Sequence, residues 1–337
     1  MATIVPCDAA NITRACQRLS EGHLVAFPTE TVYGLGANAL NAEAVLKIFH
    51  FKGRPATDPL IVHVPSLHSA RDLINVTAAE ELVLQCLAKA FWPGPLTCVV
   101  RASHLVPSAV TSGSGYVGIR VPSHPTALAL LQQSGLPIAA PSANRFGHVS
   151  PTSPHHVVDD FAFAPEEVLV LDAPAAADIS CIGLESTVFK IVEGDGGCCA
   201  AAVLRSGFIG LQQLQRALDA DPSTAALGIT VARIKKAETN TSIVQEAPGQ
   251  LLRHYSPDIA TYFCLGDGAA SDPCAKPLPR AELSSWVVID LSGFFSCMRH
   301  EAAAYFDLGP TRSVEQVTLL CCSTADSVGV PLVTHIL

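Results

Sequence analysis

Lys52 and Arg54 are the first candidates for binding an anion. They follow a helical pattern at residues 42–51 and precede the apolar run at 60–64, so we expect both to project from one loop toward the same space. A planar guanidinium and a compact ammonium together suit a triphosphate. Two basic residues at the end of a helix also stabilise its dipole, and spacing alone favours this second interpretation.

Two further polar residues interrupt apolar strands. Arg120 lies in the run at 117–121, and His63 lies in the run at 60–64. An arginine inside a strand is costly to bury unless a carboxylate or a phosphate compensates its charge. Arg120 could therefore bind a ligand or pair with a structural glutamate, and both alternatives stay open. A single histidine in such a run is more often a core residue with satisfied hydrogen bonds.

Polar turns at the ends of predicted strands form a second group of candidates. Residues 28–36 place hydroxyls, a carboxylate and an aromatic ring in a turn that ends with two glycines, which permit close approach to a ligand. The segment is equally typical of a helix N-cap. Residues 140–144 follow a short strand, at the edge where open α/β sheets bind ligands. Residues 185–188 and 204–207 enter and leave further strands, and none of these turns is specific alone.

The elements that must position these residues alternate between β-rich runs and helical patterns, which predicts a mixed α/β domain over 1–220. Polar residues dominate 221–257, which predicts a linker. Apolar runs at 259–264 and 286–291 predict two buried parallel strands of a small α/β domain over 258–337. The strands predicted for the first domain are 23–27, 60–64, 96–101, 117–121, 138–140, 168–171, 187–192 and 201–204, and its helices are 42–51, 78–91, 124–134 and 210–219.

The bulk properties limit the class of protein. With 337 residues, 49% of them hydrophobic and 15% charged, the chain can bury a large core. No apolar run approaches the ~20 residues of a membrane span, and the N-terminus has no targeting pattern, so we expect a cytoplasmic protein. The net charge of −9 disfavours tight, nonspecific nucleic-acid binding. The 12 cysteines include no C-x-x-C pair and are expected to be reduced.

Several common sites are excluded because their motifs are missing from the sequence. There is no G-x-x-x-x-G-K-[ST] phosphate loop, and no G-x-G-x-x-G begins a βαβ unit. The G-x-S-x-G elbow of serine hydrolases and the cysteine and histidine spacing of zinc sites are also missing. His155 and His156 are adjacent and would face opposite ways on a strand. Any ATP site in this chain is therefore not a P-loop.

Taken together and in order, the motifs over about residues 8–215 resemble the YrdC-like family. Ordered blocks at appropriate spacing are far more specific than any one motif. Residues 247–257 further resemble the linker of the longer, two-domain threonylcarbamoyl-AMP synthases. The blocks are P-T-E-T-V-Y-G-L-G at 28–36, K-G-R-P at 52–55, P-L-I-V-H-V at 59–64, W-P-G-P-L-T at 92–97, G-I-R-V-P at 118–122, P-S-A-N at 141–144, S-P-T at 150–152, E-S-T-V at 185–188 and L-R-S-G at 204–207.

The resemblance implies a twisted open sheet around a concave cleft, followed by a smaller Rossmann-like C-terminal α/β domain. It implies that L-threonine, bicarbonate and ATP are converted to threonylcarbamoyl-AMP and pyrophosphate, which is a nucleotidyltransferase reaction. A downstream tRNA-modifying transferase complex would then use the product on tRNA. The alternative is an RNA-binding module without catalysis, which the acidic balance disfavours. No membrane partner is implied.

Residue by residue, the resemblance implies two groups of contacts and a lid. Lys52 and Arg54 would be the catalytic cations. Mg²⁺ is expected to arrive with ATP, since the sequence shows no dedicated carboxylate cage for a metal. The threonine pocket would comprise Thr31, His63, Arg120, the backbone around Ala140, and Ser186. ATP would contact Lys52, Arg54, Asp58, Ser142, Asn144, Ser150 and Arg205, with Tyr255 of the linker closing over the nucleotide.

Two departures from the family pattern stand out. Asp58 occupies a position where asparagine is expected, and a carboxylate near a triphosphate is unfavourable unless it binds a metal or points away. The resemblance also fades after about residue 304. We therefore expect a truncated or divergent C-terminal domain.

Overall fold

The computed structural model describes residues 2–162, 167–173, 182–193, 199–233, 243–245, 247, 319–323 and 332–336. The chain divides into two compact units, Met1–Tyr255 and Ser256–Leu337. None of the helices in the described ranges has the length and apolar character that a membrane crossing would need.

A mixed, twisted sheet forms the centre of the first unit, in the order β1-β8-β2-β3-β7-β4-β6-β5-β9-β10-β11. The pairs β1/β8, β2/β8, β4/β6, β5/β9 and β10/β11 are parallel, and the other neighbours are antiparallel. Its strands are β1 (Ala2–Pro6), β2 (Val25–Phe27), β3 (Gly34–Asn38), β4 (Ile61–His63), β5 (Leu96–Arg101), β6 (Tyr116–Arg120), β7 (Ile138–Ala139), β8 (Val168–Asp172), β9 (Thr187–Glu193), β10 (Cys199–Arg205) and β11 (Val231–Arg233).

Helices begin and end at residues with clear capping roles. The Asn41 side chain accepts from the backbone N–H groups of Glu43 and Ala44 to begin α2, and Gly53 ends that helix with φ +63°. The left-handed glycine turns the chain directly after Lys52. The helices are α1 (Ala9–Ser20), α2 (Ala42–Lys52), α3 (Leu67–Ala70), α4 (Ala78–Phe91), α5 (Ser108–Thr111), α6 (Pro125–Ser134), α7 (Pro154–Asp160), α8 (Leu211–Ala220) and α9 (Pro222–Ala225), with a 3₁₀ turn at Arg71–Leu73.

Apolar side chains cover both faces of the sheet. In β2, Val25 and Phe27 belong to one hydrophobic cluster with residues of α1 and α6, whereas Ala26 belongs to a second cluster with residues of α2, α4 and α8. This split follows from the alternation of side chains along a strand. Since both faces are buried, the strands contain long apolar runs and the polar residues within them stand out.

Most of the predicted elements are confirmed within a residue or two, among them β5 and α4 with the predicted bounds. The expectation of a turn over 28–36 is wrong in its second half, because Gly34 and Gly36 lie in β3. A Cβ on Gly36 would lie 2.7 Å from Ile138 Cγ2 and 2.8 Å from Phe27 Cε1. That glycine is therefore needed for packing on the sheet. His155 and His156 lie in α7, so the interpretation of them on a strand is also wrong.

The predicted linker begins with ordered structure, because α9 and β11 lie within 221–233 and β11 pairs with β10. The limits at 220 and 257 stay predictions. In the second unit, β12 (Leu319–Ser323) and β13 (Leu332–Ile336) form an antiparallel pair. The parallel strands predicted at 259–264 and 286–291 lie outside the described residues.

Candidate active site

A cleft opens where β3, β4 and β6 meet the loops that follow β2, α2 and β7. Its walls are tied together by backbone contacts: Gly34 bridges to Ser142, and the Tyr33 N–H donates to Pro151 O at 2.8 Å. The segments 28–36 and 140–151 therefore form one surface. The cleft is lined by Thr29, Thr31, Val32, Tyr33, Gly34, Arg54, Ile61, His63, Arg120, Ala140, Pro141, Ser142, Glu185, Ser186 and Arg205.

Two loops, the one after β2 and the one before β5, fix the guanidinium of Arg120. Its Nη2 donates to Glu30 Oε1 at 2.6 Å and to Thr31 Oγ1 at 3.0 Å, and its Nε donates to Gly94 O at 3.3 Å. A guanidinium has five N–H donors, and Nη1 makes no hydrogen bond within the described part of the chain. Arg120 therefore has a structural glutamate partner and also lines the cleft, and its role in binding a ligand stays a prediction.

His63 is 3% exposed and packs edge-on against Phe27, with ring centroids 6.2 Å apart. Burial, with the Arg120 charge as a second cause, lowers the pKa of His63 to about 3, so its imidazole is neutral at neutral pH. Its Nδ1 is buried and makes no hydrogen bond of good geometry with the described residues, although the backbone of Ile138 and Ile61 lies close to the imidazole. His63 is therefore a buried histidine that also lines the cleft.

Arg54 is buried, at 8% exposure, although it follows the end of α2. Its Nη2 lies 3.0 Å from Oδ2 of Asp58, and its Nε and Nη2 donate to the carbonyl oxygens of Asp58 and Pro59 at 2.9 and 2.8 Å. The side chain of Asp58 is 0% exposed. The unexpected carboxylate is therefore the counter-ion of Arg54, and it is not among the residues that line the cleft.

Lys52 points inward and joins α2 to the segment after β7. Its Nζ donates to Ser142 O at 2.6 Å and to Asn144 O, and its carbonyl accepts from the Phe146 N–H at 2.8 Å. Burial, with the Arg54 charge as a second cause, lowers the pKa of Lys52 to about 7. Lys52 is not among the residues that line the cleft, whereas Arg54 is, and a shared ligand for the two cations stays a prediction.

A third carboxylate and guanidinium pair, Glu185 and Arg205, lines the cleft. Arg205 Nη1 is ion-paired with Glu185, and Nη2 donates to Ser186 O at 2.9 Å and Ser186 Oγ at 3.1 Å. Ser150 Oγ donates to Glu185 Oε1 at 3.1 Å. Thr97 Oγ1 lies 2.7 Å from Ser186 Oγ, so β5 also supports this corner. In the described ranges, no three His, Cys, Asp or Glu side chains lie together as a metal site.

The Sua5/YciO/YrdC family model, which carries the description "Telomere recombination", matches residues 17–207. This chain belongs to the Sua5/YciO/YrdC family. It is 42% identical over 240 residues to the threonylcarbamoyl-AMP synthase of Pyrococcus abyssi, which covers 71% of this chain and 63% of that protein. It is 39% identical over 270 residues to the synthase of the same name from Schizosaccharomyces pombe, covering 74% and 61%. The matches thus span less than two thirds of both relatives.

Solved structures of family members agree with the fold. The crystal structure of P. abyssi Sua5 complexed with L-threonine superposes with a TM-score of 0.65 at 38% identity, over 78% of this chain and 71% of that one. E. coli YciO superposes with a TM-score of 0.52 at 20% identity, over 64% and 98%, and shows the fold alone.

The family resemblance assigned residues that the structure divides into three sets. Thr31, His63, Arg54, Arg120, Ala140, Ser142, Ser186 and Arg205 line the cleft together. Lys52, Asp58, Asn144 and Ser150 are buried and do not line it. Tyr255 lies outside the described residues.

Sequence reasoning missed Glu30 and Glu185, which neutralise Arg120 and Arg205. The signal that could have found them is the need of each buried guanidinium for a carboxylate. Both glutamates stand in blocks that were already singled out for their hydroxyls.

Proposed function

We propose that this chain is a threonylcarbamoyl-AMP synthase, which forms threonylcarbamoyl-AMP and pyrophosphate from L-threonine, bicarbonate and ATP. The observation that carries the proposal is Arg120, which is held by two loops in a cleft and whose Nη1 makes no hydrogen bond among the described residues. A carboxylate can accept a charge-assisted hydrogen bond from this Nη1. The names of the curated relatives support the same substrate.

On the amino acid side, Arg120 would bind the carboxylate of threonine. Neutral His63 lines the cleft and would contact the same substrate. Thr31, Ser186 and the backbone at Ala140 would complete the pocket, since all three line the cleft. The bound L-threonine named for P. abyssi Sua5 supports this side of the proposal.

On the nucleotide side, Arg54, Arg205 and Ser142 reach the cleft and would contact ATP. Four buried residues behind the cleft lining would support these contacts with ATP: Lys52, Asp58, Asn144 and Ser150. Mg²⁺ would enter as part of the MgATP substrate, bound to the phosphates. Tyr255 as a cover for the nucleotide remains a prediction, as does the Rossmann-like fold of the C-terminal domain.

The reaction needs no nucleophile from the protein. The threonine amine attacks bicarbonate, a C–N bond forms, and water leaves to give a carbamate. A carbamate oxygen then attacks the α-phosphorus of ATP, and pyrophosphate leaves. The described residues offer positioning and charge compensation, which are the main contributions to phosphoryl-type transfer.

The test is to incubate the purified full chain with ATP, Mg²⁺, bicarbonate and L-threonine and to measure threonylcarbamoyl-AMP by mass spectrometry. We expect product that requires every component and pyrophosphate in equal amount. ATP cleavage that is independent of threonine, or no product at all, would refute the proposal. Transfer of the threonylcarbamoyl group to tRNA by a downstream complex is a separate proposal and needs that complex in the assay.

A further inference from the structure

Glu30 lies behind Arg120 and outside the cleft lining. It is 5% exposed, and both carboxylate oxygens are occupied: Oε1 accepts from Arg120 Nη2 at 2.6 Å, and Oε2 accepts from the Ser123 N–H at 3.0 Å. Glu30 therefore links the loop after β2 to the segment between β6 and α6.

We infer that Glu30 is a positioning residue that holds the Arg120 guanidinium so that Nη1 meets the carboxylate of the amino acid substrate. This inference rests on the proposed function, because that function supplies the amino acid. Glu30 itself would touch no substrate, and its effect would pass through Arg120.

The contacts of Arg120 show why Glu30 matters most among its partners. Gly94 O and Thr31 Oγ1 are neutral acceptors, and their donor distances are 3.3 and 3.0 Å. The bond to Glu30 is shorter and joins two charges, so it is the strongest constraint on the guanidinium plane. Without the bond to Glu30, the two hydrogen bonds to the neutral acceptors Gly94 O and Thr31 Oγ1 would restrain the rotation of the Arg120 side chain. A misplacement of about 1 Å can lower catalysis by about 100-fold.

The charge of Glu30 could also act in the opposite sense, by repelling the substrate carboxylate. Two observations limit that effect. The Glu30 charge is compensated by Arg120 and by the Ser123 N–H, and Glu30 is absent from the residues that line the cleft. The two roles predict opposite signs for Glu30→Gln, so one measurement separates them.

The experiment compares Glu30→Gln with wild type by initial rates of threonylcarbamoyl-AMP formation, varying threonine and ATP separately. We expect the KM for threonine to rise about 10- to 100-fold while the KM for ATP stays within about twofold. Glu80→Gln is the matched control, because Glu80 is 4% exposed and accepts from the Thr77 N–H at 2.7 Å at the start of α4. It should leave both KM values unchanged.

Each outcome of this experiment either supports or overturns the positioning role of Glu30. A lower KM for threonine, or equal rises for threonine and ATP, would overturn the positioning role while the proposed function stands. If wild type forms no product and a calorimetric titration shows no threonine binding, the proposed function fails first. If Glu30→Gln does not fold, Glu30→Asp, which keeps the charge, should show the same selective rise to a smaller extent. Failure of both variants to fold would assign Glu30 to stability alone and overturn the inference.

Discussion

Replacing Arg54 by methionine should destabilise the first unit strongly, although Arg54 lines the cleft. The carboxylate of Asp58 is 0% exposed, and neither of its oxygens has a hydrogen bond of good geometry from the described residues. Its compensation is the Arg54 guanidinium, with Nη2 3.0 Å from Oδ2. Methionine fills the space of the arginine stem but removes the charge.

The magnitude follows from the charge left behind. Removing one partner of a buried ion pair costs about 3–5 kcal/mol, whereas replacing both partners by neutral groups is often close to neutral. We therefore expect Arg54→Met to lower the free energy of unfolding by about 3–5 kcal/mol. The double variant Arg54→Met/Asp58→Asn should recover about half of that loss or more. At a denaturant slope of about 2 kcal/mol per M, the single variant shifts the urea midpoint by about 1.5–2.5 M.

The assay is urea unfolding followed by tryptophan fluorescence in a Trp286→Phe background. The chain has 2 tryptophans, and this background leaves Trp92 of the first unit as the reporter. A loss below about 1 kcal/mol for Arg54→Met, or no recovery when Asp58 is also changed, would refute the reasoning. Either result would mean that the Asp58 carboxylate is compensated by something other than Arg54.

Three further changes test the site and the fold. Arg120→Ala should raise the KM for threonine at least about tenfold more than the KM for ATP, since it removes a charge-assisted contact; equal effects would indicate a structural arginine. Gly36→Ala should cost about 1–3 kcal/mol of stability by overpacking, because its methyl would lie 2.7 Å from Ile138, whereas Gly210→Ala, with its nearest atom at 3.6 Å, is the control. The pKa of His63 is lowered to about 3, below its ordinary value of about 6.5, so the unfolded chain binds the extra proton. The stability that His63 contributes is present above pH 6.5 and is lost by about 1.4 kcal/mol per pH unit as the pH falls toward 3. In His63→Phe, the urea midpoint of unfolding should therefore depend less on pH between 6.5 and 3 than it does in wild type.

The sequence predicts the parts of the fold that local patterns determine. Apolar runs predict β5 and β9. Glycines at 34 and 36 are typical of turns and predict one there, whereas both lie in β3. Gly36 is required instead by Phe27 and Ile138 on the neighbouring strands, which no local pattern shows.

The contacts of the site are harder to predict because the partners are distant in sequence. Glu30 and Arg120 are separated by 90 positions, and Lys52 reaches Asn144 across 92. The family resemblance assigns both Lys52 and Arg54 to ATP, but the glycine turn after Lys52 and the buried Asp58 give their side chains different protein partners. The residue types were therefore predicted, and their pairing was not.

The three cleft arginines show how an acidic chain could hold the proposed anion site. Arg54, Arg120 and Arg205 each pair with a carboxylate, Asp58, Glu30 and Glu185 respectively. The cleft is therefore not a region of strong positive field, in keeping with a net charge of −9. Binding must instead depend on donors that the pairs leave unused and on where the pairs hold them. Arg120 belongs to the block at 118–122 and forms hydrogen bonds with the blocks at 28–36 and 92–97. The role of each of these blocks in the cleft therefore depends on contacts with the other two.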